Sequence, residues 1–417
     1  MSLCRRSARA GDPLASKARG CHSVTMALPA PDTIVPNPLT SLTLAQLRER
    51  TSMKWRRYDP DVLPLWVAEM DVELAAPIRD ELNRAVTGGD LGYASGTSYK
   101  EALSEFAKDR WNWEPSPSHM APVTDVITGY VDIISMVTDP GSQVVVNPPV
   151  YPPFYSYLEA AGREIAHAPL GEDLRLDFAA LESAFRDATA GGRSAAYLLC
   201  SPHNPTGTAH TRAELEQVAS LADQFGVTVV VDEIHAPIVY DDATFVPYLT
   251  VNGGEHGFSI MAASKAWNLA GIPAAMVIGG TAVKEQVVRY AASTHHGPTH
   301  FGTLAQTAAY RHGGPWLDSL MQGLDANRKL LASLIDEHLP EAHYTMPQAT
   351  YLTWIDCSAL ELDVDPSQHF LEDARVALNS GPLFGPGGEG HVRLNIATHP
   401  DIIREAVRRM GASTHRG

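Results

Sequence analysis

Short, nearly uninterrupted apolar runs alternate with amphipathic segments along the first two thirds of the chain. Such runs are typical of strands that are buried on both faces of a parallel sheet. The runs lie at 143–147, 195–199, 227–231 and 258–263. Between two of them, residues 211–225 have helical spacing, with Thr211 and Glu214 at capping-box spacing and Gly226 as the stop. This order of elements predicts an α/β fold, with a mostly parallel sheet sandwiched by helices.

The pattern changes after about residue 301, where helical spacing takes over. A long helix is predicted at 315–338, followed by a strand at 350–356, a helix at 366–379 and a strand at 391–396. These elements predict a smaller α+β domain. The predicted divisions are a tail at 1–33, a segment at 34–75 that joins the small domain and the rim of the site, a large domain at 76–305 and a C-terminal small domain at 306–417.

Composition excludes some classes of function. The 417 residues carry a formal net charge of −16 at pH 7, with 44% hydrophobic and 19% charged residues. Nucleic-acid surfaces need clustered Lys and Arg, so this charge argues against nucleic-acid binding. No apolar run approaches the roughly 20 residues of a membrane span. We therefore expect an ordinary globular protein that binds a small molecule rather than nucleic acid or a membrane.

The cysteines and the N-terminus bear on location. The four cysteines are scattered, without the spacing of a metal or redox site. They are Cys4, Cys21, Cys200 and Cys357. This pattern fits a reducing compartment, and a cytoplasmic location is predicted. Residues 1–33 are rich in arginine and small residues, a composition that allows a transit peptide. We favour a disordered tail, or an upstream start with Met26 as the true beginning.

Three polar residues follow three of the apolar runs. Asn204 comes after 195–199, Asp232 ends the run at 227–231, and Lys265 comes after 258–263. Ligands of open α/β sheets sit outside the carboxyl ends of the strands, so these residues lie where a ligand would be held. A buried carboxylate needs a partner, such as a protonated pyridine nitrogen, and a desolvated lysine can act as a nucleophile and proton shuttle.

Each of these residues also has a simpler interpretation. Asn204 could form an Asx-turn, Asp232 could cap a helix, and Lys265 could be solvated. A strand predicted at 123–128 leads into a helix at Thr128-Gly129, where free N–H groups suit a phosphate, although such turns are also common without a ligand.

Two residues outside this set are also candidates. Tyr151 stands between prolines that fix its backbone, so it could stack on a flat ring or simply plug a rigid loop. Arg393, on a strand after a glycine-rich loop, could grip a carboxylate at two points or form a surface ion pair.

Together these motifs resemble those of a known family. The order Asn204-Pro205-Thr206-Gly207, Asp232 and Ser264-Lys265 is similar to the signature of fold-type I pyridoxal-phosphate enzymes, the aspartate aminotransferase superfamily. Further matches point to its cystathionine β-lyase-like C–S lyases, within the class I/II aminotransferases. Those matches are Lys54-Trp55, Pro64-Leu65-Trp66-Val67-Ala68-Glu69-Met70-Asp71, Pro148-Pro149-Val150-Tyr151-Pro152-Pro153-Phe154, Asp232-Glu233-Ile234-His235 and Val392-Arg393-Leu394-Asn395. The resemblance runs from about residue 37 to the C-terminus.

The resemblance implies pyridoxal 5′-phosphate as the cofactor, bound in the large domain. Lys265 would bind it covalently and later act as the catalytic base. Asp232 would keep the ring nitrogen protonated, Asn204 would hydrogen-bond the ring hydroxyl, Tyr151 would cover the ring, and His235 would lie beside it. This combination predicts a carbanion at the substrate Cα as the reactive species.

The resemblance also assigns the phosphate and the substrate. The residues expected at the phosphate are Gly129, Tyr130, Val131 and Ser264. Tyr93 would reach the phosphate of the neighbouring subunit, which implies a homodimer. Arg393, with the backbone of Val67 and Ala68, would bind the carboxylate of an amino-acid substrate.

The implied function is a C–S β-lyase of amino-acid metabolism, which cleaves L-cystathionine or another cysteine S-conjugate to a thiol, pyruvate and ammonia. A class I/II aminotransferase is the alternative. Aminotransferases of this superfamily usually carry a phosphate-binding arginine where Pro273 stands, and its absence favours the lyase. Two other departures, Glu69 and Pro237 at positions where the family usually has Asp, leave the details of their loops open.

Other classes of function fit the sequence less well. A non-catalytic regulatory or interaction module is a remote alternative, against which the intact Lys265, Asp232 and Asn204 argue. A nicotinamide dehydrogenase is poorer still, because no G-x-G-x-x-G follows a strand. His295, His296 and His300 cluster, but no carboxylate or cysteine is in register with them, and no metal site is predicted.

Overall fold

The computed structural model describes residues 35–293 and 297–414. Its α-helices are α1 (Leu44–Glu49), α2 (Met53–Arg56), α3 (Ala76–Gly88), α4 (Ser98–Trp111), α5 (Val126–Val137), α6 (Pro153–Ala160), α7 (Phe178–Ala188), α8 (Arg212–Phe225), α9 (Lys284–Ser293), α10 (His300–His312), α11 (Gly314–His338), α12 (Pro366–Glu372) and α13 (Pro400–Thr414). Its β-strands are β1 (Leu63–Pro64), β2 (Met120–Val123), β3 (Gln143–Val146), β4 (Glu164–His167), β5 (Ala195–Cys200), β6 (Thr228–Asp232), β7 (Phe258–Met261), β8 (Ala275–Gly279), β9 (His343–Tyr344), β10 (Leu352–Asp356), β11 (Val376–Ala377), β12 (Asn379–Ser380) and β13 (His391–Asn395).

Within the described residues, seven strands form the central sheet in the order β2-β8-β7-β6-β5-β3-β4. The strands from β7 to β4 are parallel neighbours, whereas β8 runs antiparallel to both β2 and β7. The carboxyl ends of β2, β3, β5, β6 and β7 therefore meet at one edge of the sheet, together with the amino end of β8. The predicted mostly parallel sheet is confirmed.

Helices cover both faces of this sheet. Side chains alternate across a strand, so successive residues of β5 enter different cores. Ala196 and Leu198 pack on one face with residues of α5, α6 and α9. Tyr197 and Leu199 pack on the other face with residues of α7 and α8. Every residue of β5 is buried, which explains why this strand appears in the sequence as an apolar run.

Local signals in the sequence place α8 correctly. Thr211 and Glu214 form the predicted capping box, and Gly226 ends the helix in the left-handed conformation with φ 68°. The helix joins β5 to β6, which are parallel neighbours. The predicted βαβ unit therefore brings the ends of these two strands, and the residues that follow them, to the same edge of the sheet.

Two predicted elements are wrong. The strand expected at 123–128 ends at Val123, and α5 begins at Val126, because the Asp125 carboxylate caps it by accepting the Thr128 N–H at 2.8 Å. The helix expected at 366–379 ends at Glu372. Arg375, at φ 57°, then turns the chain into β11, which pairs with β1.

The C-terminal part adds a smaller sheet with antiparallel pairing. Its order is β12-β13-β10-β9, and Arg393 on β13 lies opposite Asn379 on β12. Residues Pro36–Gly417 form one compact unit, and the divisions predicted within it at 75/76 and 305/306 remain a prediction. None of the helices in the described part of the chain is long and apolar enough to cross a membrane.

Candidate active site

A cavity of about 390 Å³ opens at the carboxyl edge of the central sheet. Each strand that ends there contributes to its wall through the residues just after it. The wall also receives residues 66–68 and two residues of the smaller sheet. The predicted site residues in the wall are Val67, Ala68, Tyr151, Asn204, Asp232, His235, Ser264, Lys265 and Arg393. Residues far apart in the sequence, from 67 to 393, thus converge on one space.

Lys265 lies four residues after β7, with its amine in the cavity wall. The Nζ atom donates a hydrogen bond to the Ala68 carbonyl at 3.2 Å. Among the described residues, no carboxylate lies within ion-pair distance of this amine. Burial, and then the positive charge of Arg393, lower the Lys265 pKa to about 8. At this pKa a fraction on the order of a tenth of the amine is neutral near pH 7, far more than for an ordinary lysine, and the neutral form is the one that a base or nucleophile requires.

Asp232 ends β6 and is 4% exposed. Its Oδ1 atom accepts the Ile234 N–H at 3.1 Å, and among the described residues Oδ2 has no hydrogen-bond donor. Burial raises the Asp232 pKa to about 7, although Lys265 opposes the shift. A carboxyl group in this condition favours a cationic partner in the cavity, because such a partner would restore its charged form.

Arg393 reaches the cavity from β13. One terminal nitrogen donates to Asn204 Oδ1 at 3.1 Å and the other to the Trp66 carbonyl at 3.0 Å. The Nε atom is buried and unpartnered, and no carboxylate of the described residues pairs with the guanidinium. Burial lowers the Arg393 pKa to about 10, so the group is still a cation at neutral pH. It is placed to receive an anion.

Three other predicted residues complete the wall. Tyr151 packs edge-on against Phe154, with ring centroids 5.8 Å apart, and burial raises its pKa to about 12. His235 is buried with an unpartnered Nδ1, and burial lowers its pKa to about 3, so the ring is neutral. Ser264 lies beside Lys265 in the wall, half-buried.

Residues 66–71, which we call the rim segment, cross the mouth of the cavity. Asn395 donates to the carbonyls of Val67 and Glu69 at 2.7 and 2.8 Å. Lys54 pairs with Asp71 at 2.8 Å, fully buried, and the Trp55 indole donates to the same carboxylate. The motifs Lys54-Trp55 and Asn395 thus hold the rim segment, so that Val67 and Ala68 face the cavity.

Three of the four residues expected at the phosphate do not line the cavity. Gly129, Tyr130 and Val131 lie inside α5 rather than at its start, and none of them lines the cavity. The Gly129 N–H is taken by the Asp125 carbonyl at 3.0 Å, and a Cβ at this glycine would meet Ile260 at 3.1 Å. This glycine therefore serves the close packing of helix on strand. Because the strand ends at Val123 rather than at residue 128, the turn into α5 comes several residues earlier than predicted.

The first turn of α5 does reach the cavity. Val126 and Ile127 line it, and their N–H groups precede the first hydrogen bond of the helix. The partial positive charge of a helix N-terminus is directed toward this corner. The structure therefore places a phosphate-suited site at Val126 and Ile127, which the sequence analysis missed.

Tyr93 lies away from the cavity of its own chain. It is 99% exposed and lines a separate surface depression with Leu91 and Lys100. Its predicted contact with a neighbouring subunit remains a prediction. Of the histidine cluster, His295 and His296 lie outside the described residues, and His300 is 3.3 Å from Asp90.

Other residues of the wall had no signal in the sequence analysis. Trp66, Cys200 and Asn379 line the cavity, and Tyr351 supports it from behind by donating to the Ala68 carbonyl at 3.1 Å. Trp66 stood within a quoted motif, but without a role. Asn379 comes from the smaller sheet and Tyr351 directly precedes β10, and only the three-dimensional structure brings them to this edge.

Comparison with known proteins shows the family to which the chain belongs. Residues 80–410 match the family model of aminotransferase class I and II. A Mycobacterium leprae protein, provisionally named a cystathionine beta-lyase, is 50% identical over 392 residues, which cover 90% of this chain and 98% of that protein. Cystathionine beta-lyase PatB of Bacillus subtilis is 33% identical over 378 residues, covering 87% of this chain and 96% of its own.

A solved structure is similar over the same span. A protein of Corynebacterium diphtheriae, provisionally described as a PLP-dependent beta-cystathionase, superposes with a TM-score of 0.85 at 33% identity. The match covers 89% of this chain and 98% of that one. The fold and these matches agree, and the chain belongs to the class I and II aminotransferases, a family of pyridoxal-phosphate-dependent enzymes that includes its relative PatB, a cystathionine beta-lyase.

Proposed function

We propose that this protein is a pyridoxal-phosphate-dependent C–S β-lyase that cleaves L-cystathionine or a related cysteine S-conjugate to a thiol, pyruvate and ammonia. The observation that carries the proposal is a buried, unpaired guanidinium, Arg393, in the same cavity as Lys265. An amino-acid carboxylate would satisfy the guanidinium and bring its Cα toward the amine. The names of the relatives support the lyase reaction.

The cavity fits the cofactor at each point where the cofactor carries charge. Asp232 Oδ2 lacks a donor and would pair with the ring nitrogen. The free N–H groups of Val126 and Ile127 would hold the phosphate at the start of α5. Asn204 keeps its amide nitrogen for the ring hydroxyl, because its oxygen already accepts from Arg393. When bound, pyridoxal phosphate supplies an electron sink for negative charge at the substrate Cα.

The protein's own groups would then divide the work. Arg393 binds the substrate carboxylate and fixes the orientation of the Cα–H bond. Lys265, whose pKa is lowered to about 8, removes the Cα proton in its neutral form. Tyr151 limits the movement of the ring, and His235, held neutral by burial, lies beside it.

Loss of the proton is followed by loss of the thiolate from Cβ. Lys265, now protonated and in the same cavity wall, can return a proton to the leaving sulfur. Addition of water to the three-carbon remainder gives pyruvate and ammonia. The thioether and one water are thus converted to the thiol, pyruvate and ammonia, and the reaction balances. Pro273 lines the cavity at the position where aminotransferases of this superfamily usually carry an arginine, which supports elimination over amino transfer.

The deciding experiment measures pyruvate released from L-cystathionine by the purified, cofactor-loaded protein with no keto acid added. Pyruvate formed over many turnovers supports the lyase. The second candidate is an aminotransferase, which the name of the matched family model favours. If no pyruvate forms without a keto acid, but the amino acid is consumed once a keto acid is supplied, the protein is an aminotransferase and the lyase reaction is excluded.

We also propose a homodimer in a reducing, cytoplasmic setting. Tyr93, 99% exposed and remote from its own cavity, is suited to contribute to the phosphate site of a second copy. Cys200 and Cys357 are buried and free, as expected of a reducing compartment. Titration of the Tyr93→Phe variant with cofactor tests the contact, and an unchanged affinity would count against it.

A further inference from the structure

One carbonyl group in the cavity wall accepts two hydrogen bonds. The Ala68 oxygen receives Lys265 Nζ at 3.2 Å and the Tyr351 hydroxyl at 3.1 Å. Tyr351 is fully buried, directly before β10, and its ring packs edge-on against His235 with centroids 6.2 Å apart. It does not line the cavity. The tyrosine therefore acts on the amine only through the carbonyl that they share.

We propose that Tyr351 is a positioning residue that fixes the Ala68 carbonyl as the resting site of the Lys265 amine and limits how strongly that carbonyl holds a proton on the amine. This inference rests on the proposed function, in which Lys265 is the base. It adds a residue to which neither the sequence motifs nor the relatives' names assign a role.

The Ala68 carbonyl needs a hydrogen-bond donor whether or not Lys265 lies beside it. When Lys265 turns toward a bound cofactor or substrate, it withdraws its hydrogen bond from the Ala68 carbonyl. This carbonyl is partly buried, and leaving it without any donor would cost free energy. The Tyr351 hydroxyl remains in place through this movement, so the carbonyl keeps a partner. The rim segment, which carries Val67 and Ala68 into the cavity wall, therefore keeps its position while the amine moves.

The Tyr351 hydrogen bond to the Ala68 carbonyl also affects the proton affinity of the Lys265 amine. A carbonyl oxygen that already accepts one strong donor is a weaker acceptor for a second. An ammonium gains more from a carbonyl than a neutral amine does, so any weakening of the acceptor favours the neutral amine. Tyr351 therefore favours the form of Lys265 that can remove a proton. Its hydroxyl stays protonated, because burial raises the Tyr351 pKa.

Other charged and titratable groups also face the amine. Asp232 and His235 follow β6, Arg393 projects from β13, and Glu69 belongs to the rim segment. Arg393 opposes a proton on Lys265, whereas Asp232 and Glu69 favour one. A Tyr→Phe change alters none of these charges. A shift in the proton affinity of Lys265 in such a variant would therefore report the shared carbonyl.

The test uses the full-length, cofactor-free protein, and it measures how fast acetic anhydride acetylates Lys265 as the pH is varied. Mass spectrometry of the labelled peptide gives the pKa of this one amine. In Tyr351→Phe we expect this pKa to rise, so that the neutral fraction near neutral pH falls by about three- to tenfold. In the cofactor-loaded enzyme, the acid limb of the kcat profile should move to higher pH in the same variant, with less change in KM.

Tyr240→Phe is the matched control. Tyr240 is also fully buried and donates to a backbone carbonyl, that of Thr350, at 2.8 Å, but it does not line the cavity. Both variants lose one buried hydrogen bond, and a similar loss of stability is expected. Only Tyr351→Phe should change the labelling of Lys265. Equal losses of stability with unchanged labelling in both variants would reduce Tyr351 to a structural residue and overturn the proposal.

A second change keeps the hydroxyl and tests the opposite direction. Fluorotyrosine at position 351 has nearly the shape of tyrosine, and its hydroxyl is a stronger donor. It should lower the Lys265 pKa below that of the unmodified protein. This protein also decides the question if Tyr351→Phe does not fold, since an unchanged or raised pKa would then overturn the proposal. Labelling needs no cofactor. A failed pyruvate assay would therefore contradict the lyase reaction without affecting the Lys265 pKa values obtained by labelling.

Discussion

Two buried arginines in different regions of the molecule show how a binding site can be told from a structural ion pair. Arg328 is 3% exposed and Arg393 is 4% exposed. Each lies near an aromatic ring, that of Tyr240 at 4.0 Å and that of Phe384 at 5.0 Å. Arg328 pairs with the carboxylates of Asp325 and Asp242, whereas Arg393 has none among the described residues.

Burying a cation costs free energy unless a partner restores what water provided. Arg328 has that partner within the chain, so its charge contributes to the folded structure alone. Arg393 has only neutral acceptors, Asn204 and the Trp66 carbonyl. The folded protein holds this unpaired cation at the cavity, and the missing anion is the carboxylate that we assign to the substrate.

Two buried aspartates show the same contrast. Asp71 is held by the Lys54 ammonium and the Trp55 indole N–H, each at 2.8 Å. Asp232 has one backbone N–H and no cation. The paired carboxylate fixes the rim segment, and the unpaired one faces the cavity. Charge that is buried without a partner thus separates the groups that await a ligand from those that maintain the fold.

The largest effect is expected at the third unpaired group, Lys265. In Lys265→Ala, pyruvate formation should fall by about 10⁴-fold, because the base that removes the Cα proton is lost. Steady-state kinetics with saturating cofactor measures the change. The unfolding midpoint of the cofactor-free variant is the control and should not fall, since an unpaired cation is removed. A variant that keeps more than a tenth of the activity would exclude Lys265 as the base.

Arg393→Met should affect binding. We expect KM for the amino acid to rise by about 100-fold or more, because losing one partner of a buried charge pair costs about 2–5 kcal/mol. Chemical denaturation of the cofactor-free variant should show equal or greater stability, since its guanidinium has no carboxylate to lose. A strongly destabilised variant with normal KM would indicate that Arg393 is structural, as we hold Arg328 to be.

Arg328→Met is the matched change, and the opposite result is expected. The free energy of unfolding should fall by about 2 kcal/mol, because hydrogen bonds to Asp325, Asp242 and the Pro347 carbonyl are lost. Solvent already reaches both aspartates, which keeps the loss moderate. KM for the amino acid should not change. An increase in KM comparable to that of Arg393→Met would show that buried guanidinium groups affect the site whether or not they are paired.

The sequence predicted the central sheet and the groups that follow its strands. Apolar runs identified β5, β6 and β7, because strands covered on both faces leave a continuous signal. Parallel strands bring their carboxyl ends together, so Asn204, Asp232 and Lys265 could be expected in one place. The capping box of α8 was found from Thr211 and Glu214, since that signal is wholly local.

The missing parts depended on information that is not local. Val126, Ile127 and Thr128 favour strands by residue type, but the Asp125 cap and the packing of Val126 and Ile127 on the sheet make these residues the first turn of α5. The phosphate-suited N–H groups were therefore assigned too late in the chain. Asn379 and Tyr351 join the site through pairing in the smaller sheet and through the fold of the rim segment, which no periodicity reveals.

The smallest effect, and the one that most sharpens the contrast between paired and unpaired charges, concerns Asp232. Burial raises its folded pKa to about 7, whereas an exposed aspartate titrates near 4. Between these values the folded state keeps a proton that the unfolded state releases. The cofactor-free protein should therefore lose stability as pH rises from about 4 to about 7, and the loss should stay constant above that window.

In Asp232→Asn the contribution of Asp232 to this dependence disappears. At pH 8 the cofactor-free variant should be more stable than the unmodified protein by about 1–2 kcal/mol, less than the full shift implies because water in the cavity solvates the carboxylate. At pH 4 the two should be equal. Glu233, whose pKa burial also raises to about 7, is present in both proteins, and because the Asp232 charge adds to that shift, the difference also includes the loss of this repulsion. Denaturation at several pH values measures the difference in unfolding free energy between the two proteins.

Cofactor should reverse the order. A cationic ring nitrogen beside Asp232 would restore the charged carboxylate, so the unmodified protein should gain more stability from pyridoxal phosphate than Asp232→Asn does. If the difference in stability between the two proteins changes neither with pH nor with cofactor, then Asp232, like Asp71, already has its partners within the fold. Unpaired buried charge would then no longer distinguish the site from the rest of the molecule.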